Sequence, residues 1–161
     1  MGKMSLGRVV AGGIVAGIVI DAWEGVMRGV LLQERAADAM AALGRTATTS
    51  VKQIAALEVW GLVVGICTVL LYAAIRPRLG AGPKTAVLAG IFVWALVFAL
   101  GVMPMVFLHL LPVSLAAITV CGELVMMILA GLAGGALYKE PAAAGGAGEP
   151  RGSYANVRAS R

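Results

Sequence analysis

Four carboxylates interrupt otherwise apolar text: Asp21, Glu24, Glu58 and Glu123. An ionised carboxylate in hydrocarbon is costly, and intramembrane acids face a bundle interior, a water-filled cavity or a partner. Arg28 follows Glu24 by four residues, the spacing of a helical ion pair. Four acids against that arginine leave negative charge uncompensated. Low dielectric and like charge both disfavour the ionised form. The group should therefore hold a proton or a cation, which is the chemistry of proton exchange in transporters. Glu24, Glu58, Glu123 and His109 also have the ligand chemistry of a hard or borderline ion, and Met103, Met105, His109 and Cys121 that of copper. The Glu-x-x-His element of di-iron bundles is absent. No metal identity and no cofactor is predicted.

The elements that must position these groups are membrane helices. The 161 residues are 60% hydrophobic and 13% charged, with mean hydropathy +0.93. Soluble domains have about 45–50% apolar and about 25% charged residues. Apolar runs cover about residues 6–32, 54–75, 85–111 and 114–138. Each is long enough to cross about 30 Å of hydrocarbon at about 1.5 Å per residue. Backbone groups in lipid must satisfy one another within the segment, so the runs are helices. The fold class is all-α, an integral membrane four-helix bundle over residues 1–140. The first run follows Lys3 and Arg8 and continues into Asp21-Ala22-Trp23-Glu24 with no clear A-x-A site, so a retained helix is predicted.

The connections differ in kind. The Ala-rich stretch 33–43 predicts a short interfacial helix between the first two spans, ended by Gly44. Thr48, Thr49 and Ser50 offer N-caps for the second span. RPRLGAGPK, after Ile75, predicts a tight turn. Pro104 predicts a kink in the third span. The tail at 141–161 is rich in Gly, Ala and charge and reads as disordered. Cys67 and Cys121 form no CxxC pair and read as buried free thiols.

Charge fixes the expected orientation. Nine Lys and Arg fall on one side of the bundle: Lys3, Arg8, Arg76, Arg78, Lys84, Lys139, Arg151, Arg158 and Arg161. Only Arg35, Arg45 and Lys52 fall on the other, apart from Arg28 within the first span. The positive-inside rule then places both termini in the cytoplasm. Under that topology Glu24 lies about 12 Å below the outer end of its helix, Asp21 about 16 Å, Glu58 about 6 Å and Glu123 about 12 Å. Glu24, Glu58 and Glu123 share the outer half, and Asp21 lies near the midplane.

Helical spacing tests whether they share faces. Gly13, Gly17, Asp21, Glu24 and Arg28 make one stripe at spacings of three and four. Glu58, Gly61, Gly65, Thr68 and Tyr72 make a second; Gly90, Trp94, Gly101, Met105 and His109 a third; Thr119, Glu123, Met127, Ala130 and Gly134 a fourth. Small-xxx-small pairs let membrane helices approach closely. Gly13/Gly17, Gly25/Gly29, Gly61/Gly65 and Gly131/Gly135 fit that pattern. The acids are therefore expected on packed, inward faces.

Two stretches carry a resemblance. AGGIVAGIVIDAWEGVMRGVLL, followed by MAALGR, resembles the opening of small bacterial four-helix inner-membrane proteins. LYAAIRPRLGAGPKTA, Leu71 to Ala86, resembles their central cytoplasmic turn. That family is uncharacterised, so the resemblance implies a multi-pass protein of the bacterial inner membrane and no activity.

Enzyme motifs are missing: no HExxH, GxSxG, P-loop or dinucleotide fingerprint occurs. Nothing indicates a nucleic-acid partner; the expected partner is the lipid bilayer. Three readings stay open. The acids exchange protons or hold a cation, in transport of a small solute or ion. Alternatively the chain is a structural or accessory subunit, packing against copies of itself or within a larger membrane complex. The third reading is a metal-binding redox or sensor protein.

Overall fold

The computed structural model describes residues 5–44 and 49–138. Lys3, Arg45, Thr48, Lys139 and the tail at 141–161 lie outside the described residues. The described residues are helical, and four of the helices are long and apolar enough to cross a membrane. They are α1 (Leu6–Leu31), α3 (Val51–Leu79), α4 (Pro83–Phe107) and α5 (Val113–Leu137). A short helix, α2 (Gln33–Ala42), stands between α1 and α3. The chain is thus a multi-pass membrane protein with an up-down bundle. α1 packs along α3 and α5, and α4 completes the ring against α3 and α5.

Local chemistry sets the ends. Ser50 and Gln53 form a reciprocal capping box, which starts α3 at Val51, earlier than the hydropathy alone suggests. At its other end α3 does not stop at Ile75. It continues through Pro77 to Leu79, so the expected tight turn shrinks to residues 80–82. Gly80 and Gly82, both at positive φ, make that turn, and Pro83 opens α4 at its first position. Gly44, at φ 68°, ends α2 as its sequence predicts.

Two π-helical turns have no counterpart in the hydropathic pattern. One closes α1 over Met27–Leu31, and the other interrupts α4 over Ala95–Ala99. A π turn adds a residue to the helical cycle and rotates the residues beyond it. The stripe read from Gly90 therefore loses its face. Gly90 is buried, whereas Gly101, Met105 and His109 are exposed and Phe98 is buried instead. α4 also ends at Phe107 rather than Leu111. His109, at φ 56°, adopts the left-handed conformation, with Leu110 N–H donating to the Met105 carbonyl and His109 N–H to the Val106 carbonyl. This is a Schellman closure with histidine in the place usually held by glycine.

At the end of the bundle away from α2, the helices interlock through glycine. A methyl on Gly65 would overlap the Gly17 backbone nitrogen and the Gly13 carbonyl oxygen. A methyl on Gly131 would come within 2.7 Å of the Ala86 carbonyl oxygen, and one on Gly135 within 3.0 Å of the Ala86 methyl. Gly12 and Gly134 face each other in the same way, which the small-xxx-small pairs did not include. Val9, Ala16, Val69, Tyr72, Met127 and Ala130 fill the core beside them. Lipid tails are as apolar as these side chains, so close packing and not water exclusion holds the contact. Gly25 and Gly29, by contrast, have nothing within 4 Å and make no such contact.

Cys67 and Cys121 are exposed, against the expectation of buried thiols. In lipid the outward face is as apolar as the core. A small hydrophobe such as Cys therefore fits either.

Candidate functional site

The bundle changes character toward the α2 end. Every residue from Val51 to Trp60 on α3 is exposed, so its neighbours do not cover that stretch. Trp60 meets Phe98 of α4 edge-on, ring centres 5.4 Å apart, and is the prop at that level. Trp94 Nε1 donates to the Val120 carbonyl at 2.9 Å and ties α4 to α5.

A cleft of about 410 Å³ opens between α1 and α3. Asp21, Glu24 and Arg28 line it from α1, and Glu58 and Gly61 from α3. Thr49 and Gln33 stand at its α2 end. The carboxylate of Asp21 rests on Gly61, where a methyl would collide with Oδ1. Gly61 is therefore a seat for an acid as much as a packing residue. Asp21 lies within electrostatic reach of both Glu58 and Glu24. Gly25 and Gly29 line the same cleft, and their missing side chains leave it open.

A smaller cavity of about 230 Å³ lies on the other flank of α1, against α5. Glu123 and Thr119 line it from α5, and Trp23, Glu24 and Arg28 from α1. Glu123 is 6% exposed, and its Oε2 has no hydrogen-bond partner. The buried indole Nε1 of Trp23 has none either. Glu123 is within electrostatic reach of Glu24 and Arg28. Glu24 and Arg28 pair at 2.6 Å, as their i, i+4 spacing predicts, and both line the two cavities. The ion pair is the wall the cavities share.

The structure thus brings together Asp21, Glu24, Arg28, Glu58 and Glu123. Their depths of burial differ: Glu123 is buried, Asp21 and Glu24 are intermediate, and Glu58 and Arg28 are exposed. The packing glycines Gly13, Gly17, Gly61, Gly65, Gly131 and Gly135 are all buried. His109 does not join the acids. It lines a separate hollow with Ala39 and Leu43 of the α2 segment, and its backbone serves as a helix stop. Among the described residues, no three His, Cys, Asp or Glu side chains are arranged to hold a metal ion. Trp23 is a site residue that the sequence reading misses. Its signal is an indole deep in a span, adjacent to Glu24 and far from an interfacial belt.

No known protein family, curated protein or solved structure matches the chain.

Proposed function

We propose that this is a bacterial inner-membrane protein, both termini cytoplasmic, whose clustered acids exchange protons or a cation with the outer side. The exchange would serve the transport of a small solute or ion, and the chain is not an enzyme. One observation carries the reading: carboxylates from α1, α3 and α5 line two cavities at one end of the bundle that share the Glu24–Arg28 pair. Arg28 can neutralise one carboxylate, and the others must take up a proton or a cation. The cleft beside Glu58 gives access from the α2 end, and the interlocked glycines close the other end. Release to the far side then requires the glycine contact between α1 and α3 to loosen, a shear of packed helices.

The test is proton or ion flux in liposomes containing the protein with Glu24→Gln, Glu123→Gln or both. Amide side chains keep the shape and remove the exchangeable charge. Flux equal to that of the unaltered protein would sink the transport reading.

A second reading, a structural or accessory subunit, is favoured by a different observation. The exposed start of α3, with Glu58 on it, and the bare Gly25 and Gly29 form a face without a neighbour. A helix from a second copy or another membrane protein would fit there. Gentle extraction and native mass measurement decide: a lone monomer with no companion chain counts against it.

A further inference from the structure

The cavity between α1 and α5 holds two buried polar groups that nothing in the fold satisfies. Glu123 Oε2 is an acceptor without a donor, and Trp23 Nε1–H is a donor without an acceptor. Glu123 and Trp23 line the same 230 Å³ space. Leaving either unmet carries the desolvation cost of a buried polar group. Two other polar side chains on the walls have partners of their own. Thr119 Oγ1 donates to the Leu115 carbonyl at 2.9 Å, and Glu24 is paired with Arg28. Met27, Leu32, Leu111 and Leu115 supply apolar walls. The space is several times that of one water, whose share of liquid volume is about 30 Å³.

We propose that this cavity binds a small protonated amine that carries a hydroxyl or other acceptor and a short apolar body. The ammonium group donates to Glu123, the acceptor takes the Trp23 indole N–H, and the body lies on the leucines. With Arg28 already paired to Glu24, a neutral molecule would bring no charge to match Glu123, and an anion would be repelled by it. A bare amine would leave the indole unmet. The proposal rests on reading Glu123 as a working acid of the site, and it names the class of solute that the site takes.

The test uses the full chain in lipid nanodiscs and titration calorimetry with 2-amino-1-phenylethanol, 2-phenylethylamine and 1-phenylethanol. The hydroxylated amine should bind tightest and the neutral alcohol should give no measurable heat. Glu123→Gln should weaken both amines about tenfold or more, as loss of a charge-assisted bond of about 1.5–3 kcal/mol requires. Trp23→Phe should weaken the hydroxylated amine to the level of 2-phenylethylamine and leave the latter unchanged. Ala36, exposed on α2 at the cavity rim, offers a variant outside the core: Ala36→Trp should block both amines. Equal binding of the neutral alcohol, or undiminished binding to Glu123→Gln, would overturn the proposal. So would failure of both amines to bind the folded, unaltered chain. If they fail while Glu24→Gln still abolishes proton flux, the amine site falls and the proton reading stands.

Discussion

The two ends of this bundle are built on opposite rules. Away from α2, glycines let backbones touch, and a single added methyl at Gly65 has nowhere to go. Toward α2, the same helices are held apart, and the spaces between them are lined by acids, an arginine and two unmatched polar atoms. α1 and α3 take part in both. Their Gly13/Gly17 and Gly61/Gly65 contacts give way, within a turn or two, to Asp21, Glu24 and Glu58. The contrast teaches a division of labour. Membrane helices gain little from hiding apolar surface from one another, so close backbone approach supplies the adhesion. With that adhesion concentrated at one end, the other end can tolerate charge and cavities that would otherwise unseat the bundle.

The sharpest way to break this comparison is to add one methyl at each end. Gly65→Ala should destabilise the bundle by about 1–3 kcal/mol, the range for overpacking. Gly25→Ala, which meets nothing within 4 Å, should stay within about 0.5 kcal/mol. Unfolding in mixed micelles followed by circular dichroism measures both; equal losses would erase the distinction between the ends. Next in size, Glu123→Leu should raise stability by up to about 1–3 kcal/mol, because it removes a buried polar atom without a partner, while flux is lost. A fall in stability would mean that Glu123 holds the fold together. The smallest loss expected at a packed glycine locates the boundary between the regimes. Gly61→Ala pushes on the end of the Asp21 side chain and not on backbone. It should cost only about 0.5–1.5 kcal/mol, the penalty for moving a side chain off its rotamer, yet alter flux. A loss as large as that of Gly65→Ala would move the boundary to the acid side of Gly61.

Much of this is legible in the residues. Hydropathic runs locate four spans, because lipid leaves the backbone few alternatives. Spacings of three and four put Asp21 and Glu24 on the stripe of Gly13 and Gly17, and Glu123 on that of Gly134, and those faces do turn inward. Other features leave no trace that period or composition could reveal. The π turn at Ala95–Ala99 rotates the rest of α4 and strips the meaning from the Gly90-to-His109 stripe. His109 draws notice for its imidazole, whereas its backbone conformation is what the fold uses. Cys67 and Cys121 mislead because apolar character does not distinguish core from lipid-facing surface. Pro77 reads as a stop, but a helix can run through proline when its neighbours hold it.

The outward-facing cysteines have a practical consequence. Cys67 comes after the Gly61–Gly65 contact on α3, and Cys121 lies two residues before Glu123 on α5. Both thiols are exposed and unbridged. The native chain therefore carries one chemical handle in the adhesive region and one in the polar region. Spin or fluorine labels at the two positions would report separately on how each region moves, without a single engineered cysteine.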